Sequence, residues 1–326
     1  MNPILSLNDI QMHVQNLFQQ EDFNSEPLEL YAPIEYTLRL GGKRIRPVML
    51  LASCQMFGGD IRQANNAAIG IEVFHNFTLL HDDLMDQSPL RRGQETVYRK
   101  WGANAAVLSG DAMLIMAYQY IVRQTGISPS DSILMFNTMA QEVMQGQQYD
   151  INFENRSDVT TEEYLDMIYL KTAALFNGAL RLGAMIGHAP QEALPHLFQF
   201  GKHLGLAFQI QDDLLDTYGD LSSFGKQPGQ DIRDNKKTML LITALNQASE
   251  TQQKRLKELI SNNDTSEHKV RQVKAIYDSL NIPTTMENLI NKHYTQAAEA
   301  LNAIPVSDNY RQPLLQLMQE LLHRAN

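Results

Sequence analysis

The apolar residues of this chain recur mainly three or four positions apart, the spacing that places side chains on one face of an α-helix. Residues 5–18 show this pattern first. The same spacing predicts further helices at 47–57, 69–86, 103–124, 131–150, 191–218 and 237–248, and several shorter helices from there to the C-terminus. No run of alternating apolar and polar residues indicates a β-strand. The pattern therefore predicts an all-α fold built from long helices.

The ends of these segments indicate one continuous domain. Thr160, followed by Glu163 three residues later, predicts a capping box, and the apolar period behind it continues to Gly187. The run 69–86 is apolar on nearly every side, which is typical of a helix buried in the middle of a bundle. The main interruptions, none of which resembles a domain linker, are Gly41–Gly42, Gly58–Gly59 and 219–236. We expect a single domain spanning residues 1–326.

Composition narrows the possible functions. The chain has 326 residues, 43% of them hydrophobic, and no uninterrupted apolar run approaches the ~18 residues of a membrane span. Its formal net charge of −10 argues against a nucleic-acid binder, so an anionic substrate needs a local basic patch. The single cysteine, Cys54, excludes an internal disulfide and a thiolate metal site. Because the N-terminus lacks the pattern of a signal peptide, we expect a cytoplasmic protein.

An aspartate motif occurs twice, as HDDLMD at 81–86 and as QDDLLD at 211–216. In a helix, residues four apart share a face, so Asp82 and Asp86 point the same way, as do the matching residues of the second motif. Both motifs lie in apolar stretches, where carboxylates are costly unless a cation pairs with them. Two such pairs offer the oxygen ligands that Mg²⁺ prefers, with its other positions left to water and phosphate. The repeat predicts an enzyme of diphosphate chemistry.

Neighbouring residues extend this prediction along the two helices. His75 lies seven residues before Asp82, about two turns and therefore nearly on the same face. Gln209 lies three and four residues before the first two aspartates of the second motif and continues their stripe. A single acidic motif is more often a solvated helix end, but the second copy among apolar residues favours a metal site.

Three groups of basic residues are candidates for binding phosphate. Residues 41–47, GGKRIRP, place three cations after two glycines and before a helix, where backbone N–H groups and arginine forks suit an anion. Arg91 and Arg92 follow the first aspartate motif closely. Lysines occur in a helix and after the second motif, at Lys171, Lys226, Lys236 and Lys237. Each of these residues taken alone is equally consistent with a solvated surface position.

These elements in this order resemble the all-trans polyprenyl diphosphate synthases of the type I isoprenoid synthase superfamily. The resemblance covers roughly 200 residues, from Gly41 to about Thr238, and includes further short matches at GDAML (110–114), GQQYD (146–150), KT (171–172) and FGKQPGQDIRDNKKT (224–238). It implies a bundle of long helices around a deep central cavity and a homodimer. It also implies that isopentenyl diphosphate condenses with dimethylallyl, geranyl or farnesyl diphosphate.

The resemblance assigns roles residue by residue. Six carboxylates would hold Mg²⁺, three ions in this family, on the allylic diphosphate: Asp82, Asp83, Asp86, Asp212, Asp213 and Asp216. Four cations would clamp that diphosphate: Arg91, Lys171, Lys226 and Lys236. Four side chains would bind the diphosphate of isopentenyl diphosphate: Lys43, Arg46, His75 and Arg92. Thr172 and Gln209 would face the reacting allylic carbons, and the cavity wall near the metals would include Gln147 and Asp150.

Product length is expected to depend on residues before the first motif. Phe77 lies five residues before Asp82, about 7.5 Å along the helix axis, and Phe74 lies about one turn further. In the family, an aromatic residue at the Phe77 position forms a floor that stops chain growth. Thr78 is small, whereas some strict C15 synthases have a second aromatic residue there. We favour a C20 product, geranylgeranyl diphosphate, over C15 farnesyl diphosphate, and expect no C30 or longer product.

Three other functions remain open at this stage. A non-catalytic subunit of a heteromeric synthase typically lacks some of the aspartates, all of which are present here. A metal-dependent phosphohydrolase would use His75, His81 and Asp82, but the second motif offers only carboxylates where several imidazoles are expected. A terpene cyclase would not need a second set of cations for a second diphosphate.

Overall fold

The computed structural model describes residues 4–219, 228–261 and 264–323, and this part of the chain is almost entirely helical. Its helices are α1 Leu7–Gln20, α2 Leu28–Arg39, α3 Ile45–Met56, α4 Asn65–Met85, α5 Val97–Trp101, α6 Ala103–Arg123, α7 Pro129–Glu154, α8 Thr161–Ile168, α9 Ala174–Ile186, α10 Leu194–Tyr218, α11 Gln230–Arg233, α12 Met239–Gln247, α13 Glu250–Ile260, α14 Glu267–Ser279, α15 Ile282–Asn302 and α16 Asp308–Leu322. Short 3₁₀ turns cover Ile61–Ala64 and Gln191–Ala193, and a π-helical turn covers Tyr169–Ala173. The predicted all-α fold is confirmed.

The chain divides into two compact units. The first contains Met1–Ala140, Leu175–Phe198 and Leu301–Leu317, and the second contains Gln141–Ala174, Gln199–Ala300 and Met318–Asn326. In the first unit, α4 is buried from Ala67 to Phe74 without a break, as its continuous apolar run predicts.

In the first unit, α4 and α6 approach each other closely because a glycine lies between them. A Cβ at Gly70 would come within 3.0 Å of the Ile121 side chain. The aspartate motif stands at the C-terminal end of α4, where Asp86 is the C-cap residue. The packed N-terminal part of this helix therefore fixes the direction of the first motif.

In the second unit, α8 continues through the π-helical turn toward α9. A single π turn inside a helix is a rare feature that occurs frequently at functional sites. The Thr160 side chain accepts a hydrogen bond from the Glu163 backbone N–H, and the Glu163 side chain accepts one from the Thr160 backbone N–H, so the predicted capping box is confirmed. A Cβ at Gly205 of α10 would lie 2.4 Å from the Ala173 Cβ, so the glycine lets α10 approach this turn.

Most predicted helices agree with the structure to within a few residues at each end. The sequence pattern missed α2, the short helices α5 and α11, and a minimal antiparallel hairpin, in which β1 Leu90–Arg91 pairs with β2 Gln94–Glu95. Its two-residue turn places Arg92 and Gly93 at φ of 52° and 75°, the left-handed conformation that such tight hairpin turns require. The single domain over 1–326 stays a prediction.

One described helix, α6, is long and apolar enough to cross a membrane by length and composition alone. In its most apolar window 39% of the residues are buried within the protein. Core helices of soluble proteins pass the same test, so this helix is weak evidence for a membrane span.

Candidate active site

The first aspartate motif presents its three carboxylates in different environments. Asp82 is half-buried and Asp86 is exposed, one turn apart at the end of α4. Asp83 is only 5% exposed, because it lies one position round the helix and points into the protein. The motif therefore offers two carboxylates to solvent and keeps the third inside.

Arg91 of the hairpin is the partner of the buried carboxylate. Its Nε lies 3.0 and 3.1 Å from the two oxygens of Asp83, and one terminal nitrogen lies 2.6 Å from Asp83 Oδ1. The same guanidinium is 3.8 Å from Asp82. Burial alone would lower the pKa of Arg91, but the bonds to Asp83 and the nearby carboxylates raise it. Arg91 is thus a fixed cation beside the motif.

A second basic group, from the start of α3, lies beside α4 at the level of His75. The guanidinium of Arg46 is 3.1 Å from His75 Nε2 and stands over the Phe176 ring at 5.1 Å. Burial, reinforced by the charges of Arg46, Arg92 and Arg91, lowers the pKa of His75 well below its usual value. The imidazole is therefore neutral at pH 7, and its Nε2 accepts the hydrogen bond that Arg46 donates.

Arg92 closes against the glycine pair of the GGKRIRP segment. It donates a hydrogen bond to the Gly41 carbonyl, and a Cβ at Gly42 would lie 2.8 Å from its guanidinium carbon. Gly42 also has a φ of 128°, so a side chain at this position would be both strained and in contact with the arginine. Lys43, the next residue, is exposed. The two basic segments are thus brought together.

A pocket opens beside these cations in the first unit. Its polar lining combines both hairpin arginines with amide, carboxylate and hydroxyl groups, from Arg91, Arg92, Asn76, Asp83, Thr37 and Thr96. Its apolar lining is Leu40, Leu79, Leu80 and Val97. The two guanidinium groups in this lining suit an anionic group.

The residues expected to limit product length form a chain of aromatic contacts. The Phe77 ring is 4.8 Å from the His81 ring and 5.6 Å from Phe74, which in turn meets Phe136 at 5.2 Å. Phe77 is buried, and Thr78 Oγ1 donates to the His75 carbonyl. The structure brings Phe77 and Phe74 together, and it adds Phe136, which the sequence pattern did not indicate.

In the second unit, Lys171 lies in the π-helical turn and is held by Asp150. Its Nζ is 2.5 Å from Asp150 Oδ2. A Cβ at Gly146 of α7 would come within 2.2 Å of the Lys171 backbone nitrogen, so only glycine permits this approach. Gln147, the next residue, is half-buried. The sequence predicted Lys171, Gln147 and Asp150 at one site, and this unit places Lys171 beside Asp150.

A hydrogen-bond network connects the turn to the second aspartate motif. Thr172 Oγ1 is 2.7 Å from Gln209 Oε1, and Gln209 Nε2 is 3.0 Å from Asp213 Oδ1. Tyr164 donates to the other Asp213 oxygen at 2.5 Å, a partner that nothing in the sequence indicated. Burial first, and then repulsion from Asp231, raises the pKa of Asp213 to about 7. Asp213 is thus the buried counterpart of Asp83, while Asp212 stays half-exposed.

The third carboxylate of the second motif organises the chain that follows it. Asp216 is 7% exposed and accepts a hydrogen bond from the Asp231 backbone nitrogen at 2.9 Å. Lys236 is half-buried, and its backbone nitrogen donates to the Asp231 carbonyl. Lys226, which the resemblance also assigned to this region, lies outside the described residues.

The accessible carboxylates fit Mg²⁺. Each unit offers hard oxygen donors of the kind that Mg²⁺ prefers: Asp82 and Asp86 in the first, and Asp212 in the second. The repulsion that Asp231 and Asp212 exert on Asp213 is the kind that a nearby cation relieves. Among the described residues, no group of three or more His, Cys, Asp and Glu is arranged to hold a metal alone.

Comparisons with known proteins agree with the sequence motifs. The polyprenyl synthetase family model matches residues 27–278. The geranylgeranyl diphosphate synthase of Saccharolobus solfataricus is 37% identical over 284 residues, which cover 86% of this chain and 85% of that protein.

Solved structures agree as well. A crystal structure of a geranylgeranyl pyrophosphate synthase has a TM-score of 0.92 and 38% identity, covering 99% of this chain and 100% of the other. A geranylgeranyl pyrophosphate synthase from Corynebacterium glutamicum, complexed with isoprenyl diphosphate and magnesium, has a TM-score of 0.86 and 25% identity over 98% and 100% of the chains. The chain therefore belongs to the polyprenyl synthetase family, as its ordered motifs predicted.

Proposed function

We propose that this chain is a short-chain all-trans polyprenyl diphosphate synthase, a prenyltransferase that condenses isopentenyl diphosphate with allylic diphosphates to geranylgeranyl diphosphate. The proposed allylic substrates are dimethylallyl, geranyl and farnesyl diphosphate. The C20 product is supported by the names of the relatives, several of which are geranylgeranyl diphosphate synthases at 34–37% identity. Farnesyl diphosphate is the alternative product.

One observation carries the proposal: the first unit has two separate sets of cations. Arg91 is bound to Asp83 beside the aspartate motif, whereas Arg46 contacts His75 two turns further down α4. An enzyme that joins two diphosphate substrates needs two anion subsites. A terpene cyclase or a phosphohydrolase needs only one.

We assign the allylic diphosphate to the aspartate motifs and the nearby cations. As the resemblance implies, Asp82, Asp86 and Asp212 would hold Mg²⁺, which would supply Lewis-acid stabilisation of the leaving group. Three ions per site are expected from the family. We propose that Asp83 and Asp213 mainly position neighbouring side chains. Asp83 holds Arg91, and Asp213 accepts a hydrogen bond from Tyr164.

The chain's own residues then assist each step. The C1–O bond of the allylic diphosphate breaks, and its electron pair leaves with the diphosphate, which Arg91 and Lys171 hold as negative charge develops. Asp150 fixes Lys171 for this task. The oxygens of Thr172 and Gln209 direct dipoles at the allylic cation. Apolar walls exclude the water that would otherwise capture it.

The second substrate completes the reaction. Lys43, Arg46, His75 and Arg92 hold isopentenyl diphosphate so that its double bond forms the new C–C bond with the allylic carbon. Loss of one proton then restores a double bond, and the departing diphosphate is the proposed acceptor. No general base is assigned among the side chains, which agrees with this use of the leaving group.

We also propose a single catalytic domain, a homodimer and a cytoplasmic location. An exposed apolar row on α6 supports the dimer. Leu108, Ile115 and Val122 recur every seven residues there and are 61%, 58% and 39% exposed. Large apolar groups in such a row are covered when a second copy packs against them. Light scattering on the purified protein would show twice the chain mass, and a monomer would contradict the dimer.

The test of function is a product assay. Purified protein is supplied with Mg²⁺, isopentenyl diphosphate and each allylic substrate in turn, and the products are measured by mass spectrometry. We expect C20 product and its loss when EDTA removes the metal. Asp82→Ala should lower turnover by orders of magnitude with unchanged helical circular dichroism. Asp166→Ala, which removes an exposed carboxylate of α8, is the control.

The alternatives give different results in the same assay. Release of phosphate without chain extension would favour a phosphohydrolase. An absence of any product would favour a non-catalytic subunit, and a C15 end point would favour a farnesyl diphosphate synthase. Activity of the Asp82 variant equal to that of the unmodified protein would contradict the metal assignment.

A further inference from the structure

A buried carboxylate lies beneath the second set of cations. Glu72 of α4 is only 3% exposed and stands one turn before His75. Its Oε1 accepts a hydrogen bond from Asn76 Nδ2 at 3.3 Å, while Oε2 has no hydrogen-bond partner among the described residues. A buried carboxylate with so few hydrogen bonds is costly unless cations lie near it.

The nearby cations are three arginines from two separate segments. Burial raises the pKa of Glu72, and the charges of Arg46, Arg92 and Arg44, in that order, oppose the rise. Conversely, burial lowers the pKa values of Arg44 and Arg92, and Glu72 opposes both. The charge of one carboxylate thus acts on three guanidinium groups; of these, Arg46 contacts its neighbour His75, and Arg92 lines the same pocket as its neighbour Asn76.

Two contacts link this carboxylate to the subsite. Asn76, which bonds Glu72, also lines the pocket that Arg92 lines. His75, one turn beyond Glu72, accepts a hydrogen bond at its Nε2 from the Arg46 guanidinium at 3.1 Å. Because all three residues lie on one stretch of α4, a change in the position of Glu72 would be transmitted to both arginines. Neither the sequence motifs nor the resemblance gave Glu72 a role.

We propose that Glu72 is a positioning residue for isopentenyl diphosphate: it holds Arg44, Arg46 and Arg92 together before the diphosphate arrives. Without it, these guanidinium groups lose their counter-charge, and the repulsion that Arg92 exerts on Arg44 is no longer offset. With it, they are already assembled when the anion binds, so less ordering is needed during binding. The inference rests on the proposed function, which assigns Arg46 and Arg92 to this substrate.

A simple charge argument predicts the opposite sign, which makes the proposal testable. Glu72→Gln makes the cluster more positive by one charge, so attraction alone would tighten binding of a diphosphate. Positioning predicts weaker binding, because the arginines lose their common partner. Gln keeps the shape of the side chain and its hydrogen bond to Asn76. The direction of the change in KM therefore separates the two explanations.

The experiment measures steady-state kinetics of the full chain with each substrate varied in turn. For Glu72→Gln we expect KM for isopentenyl diphosphate to rise about tenfold, which corresponds to about 1.4 kcal/mol of binding free energy. KM for the allylic substrate should change less than about twofold, because Arg91 has its own partner in Asp83. Glu72→Asp, which keeps the charge, should restore part of the affinity.

Asp60→Asn is the matched control. Asp60 is a half-buried carboxylate that accepts a hydrogen bond from Arg62 Nε at 2.9 Å, and it lies twelve residues before Glu72 in the chain, so both KM values should stay unchanged. An unchanged or lower KM for isopentenyl diphosphate in Glu72→Gln would overturn the proposal. If that variant does not fold, Glu72→Asp decides: a selective rise supports the proposal, whereas unchanged KM values or loss of its fold overturn it. Failure of the proposed function is a separate result, since the unmodified protein would then give no prenyl product.

Discussion

A pair of stacked histidines should make the stability of this protein depend on pH below neutrality. His203 of α10 and His293 of α15 lie with their rings 5.2 Å apart and their Nδ1 atoms at 3.0 Å. At that distance one Nδ1 must carry a hydrogen and the other must accept it, so a second proton would replace the bond by repulsion. Lys202 and Lys292 add positive charge nearby.

The pKa values of the two histidines give the direction and the size of this change in stability. Burial first, and then the charges of His203 and the two lysines, lowers the pKa of His293 from 6.5 to about 4, and burial also lowers the pKa of His203. A lowered pKa means that this contribution is fully present above about pH 6.5 and is lost as the pH falls toward 4. At pH 5 the loss for His293 is at most about 2 kcal/mol. Because His203 is half-exposed, solvent screening weakens the repulsion between the two rings, and we expect a loss of stability of about 1–2 kcal/mol.

Urea denaturation between pH 7.5 and 4.5, followed by circular dichroism, measures this loss. Other buried groups, His75 among them, also change protonation over this range. The informative quantity is therefore the difference in the free energy of unfolding between the unmodified protein and His293→Phe at each pH. That difference should shrink by about 1–2 kcal/mol from pH 7 to pH 5, because the variant lacks the titrating pair. His196→Gln, which removes an exposed histidine of α10, should leave the pH dependence as it is. A difference between the unmodified protein and His293→Phe that is constant over this range would refute the reasoning.

Two further predictions concern the product and the loop after the second motif. Phe77→Ser should yield products longer than C20 by mass spectrometry, because it removes a buried ring that contacts Phe74; an unchanged product length would place the floor elsewhere. Lys269→Met should lower the free energy of unfolding by about 1–3 kcal/mol in urea, because it removes a fully buried ammonium that bonds Asn235 at 2.7 Å. Lys254→Met, at an exposed position, should leave stability unchanged, and equal stability of both variants would contradict the second prediction.

Helical periodicity predicted most of the fold because the apolar side chains that each long helix buries recur every three or four residues along the chain. The capping box at Thr160 was readable for the same reason, since all its atoms lie within four residues. The hairpin at 90–95 escaped because two strands of two residues each are too short to show alternation. The π-helical turn was not predicted because Tyr169, Thr172 and Leu175 continue the helical spacing, and only the packing of Gly146 against Lys171 indicates the irregularity.

In the candidate site, helix geometry predicts the directions of the aspartate side chains but not the identity of their partners. The period places Asp82 and Asp86 on one face, and it also implies that Asp83, one position round, points toward the interior. A buried carboxylate requires a partner, so the need for one was readable from the sequence. The partners were not: Arg91 reaches Asp83 through the tight hairpin, and Tyr164 reaches Asp213 from a helix 49 residues away in the chain. Each motif thus combines carboxylates that face outward with one that anchors a neighbouring group, and only the packed structure identifies that group.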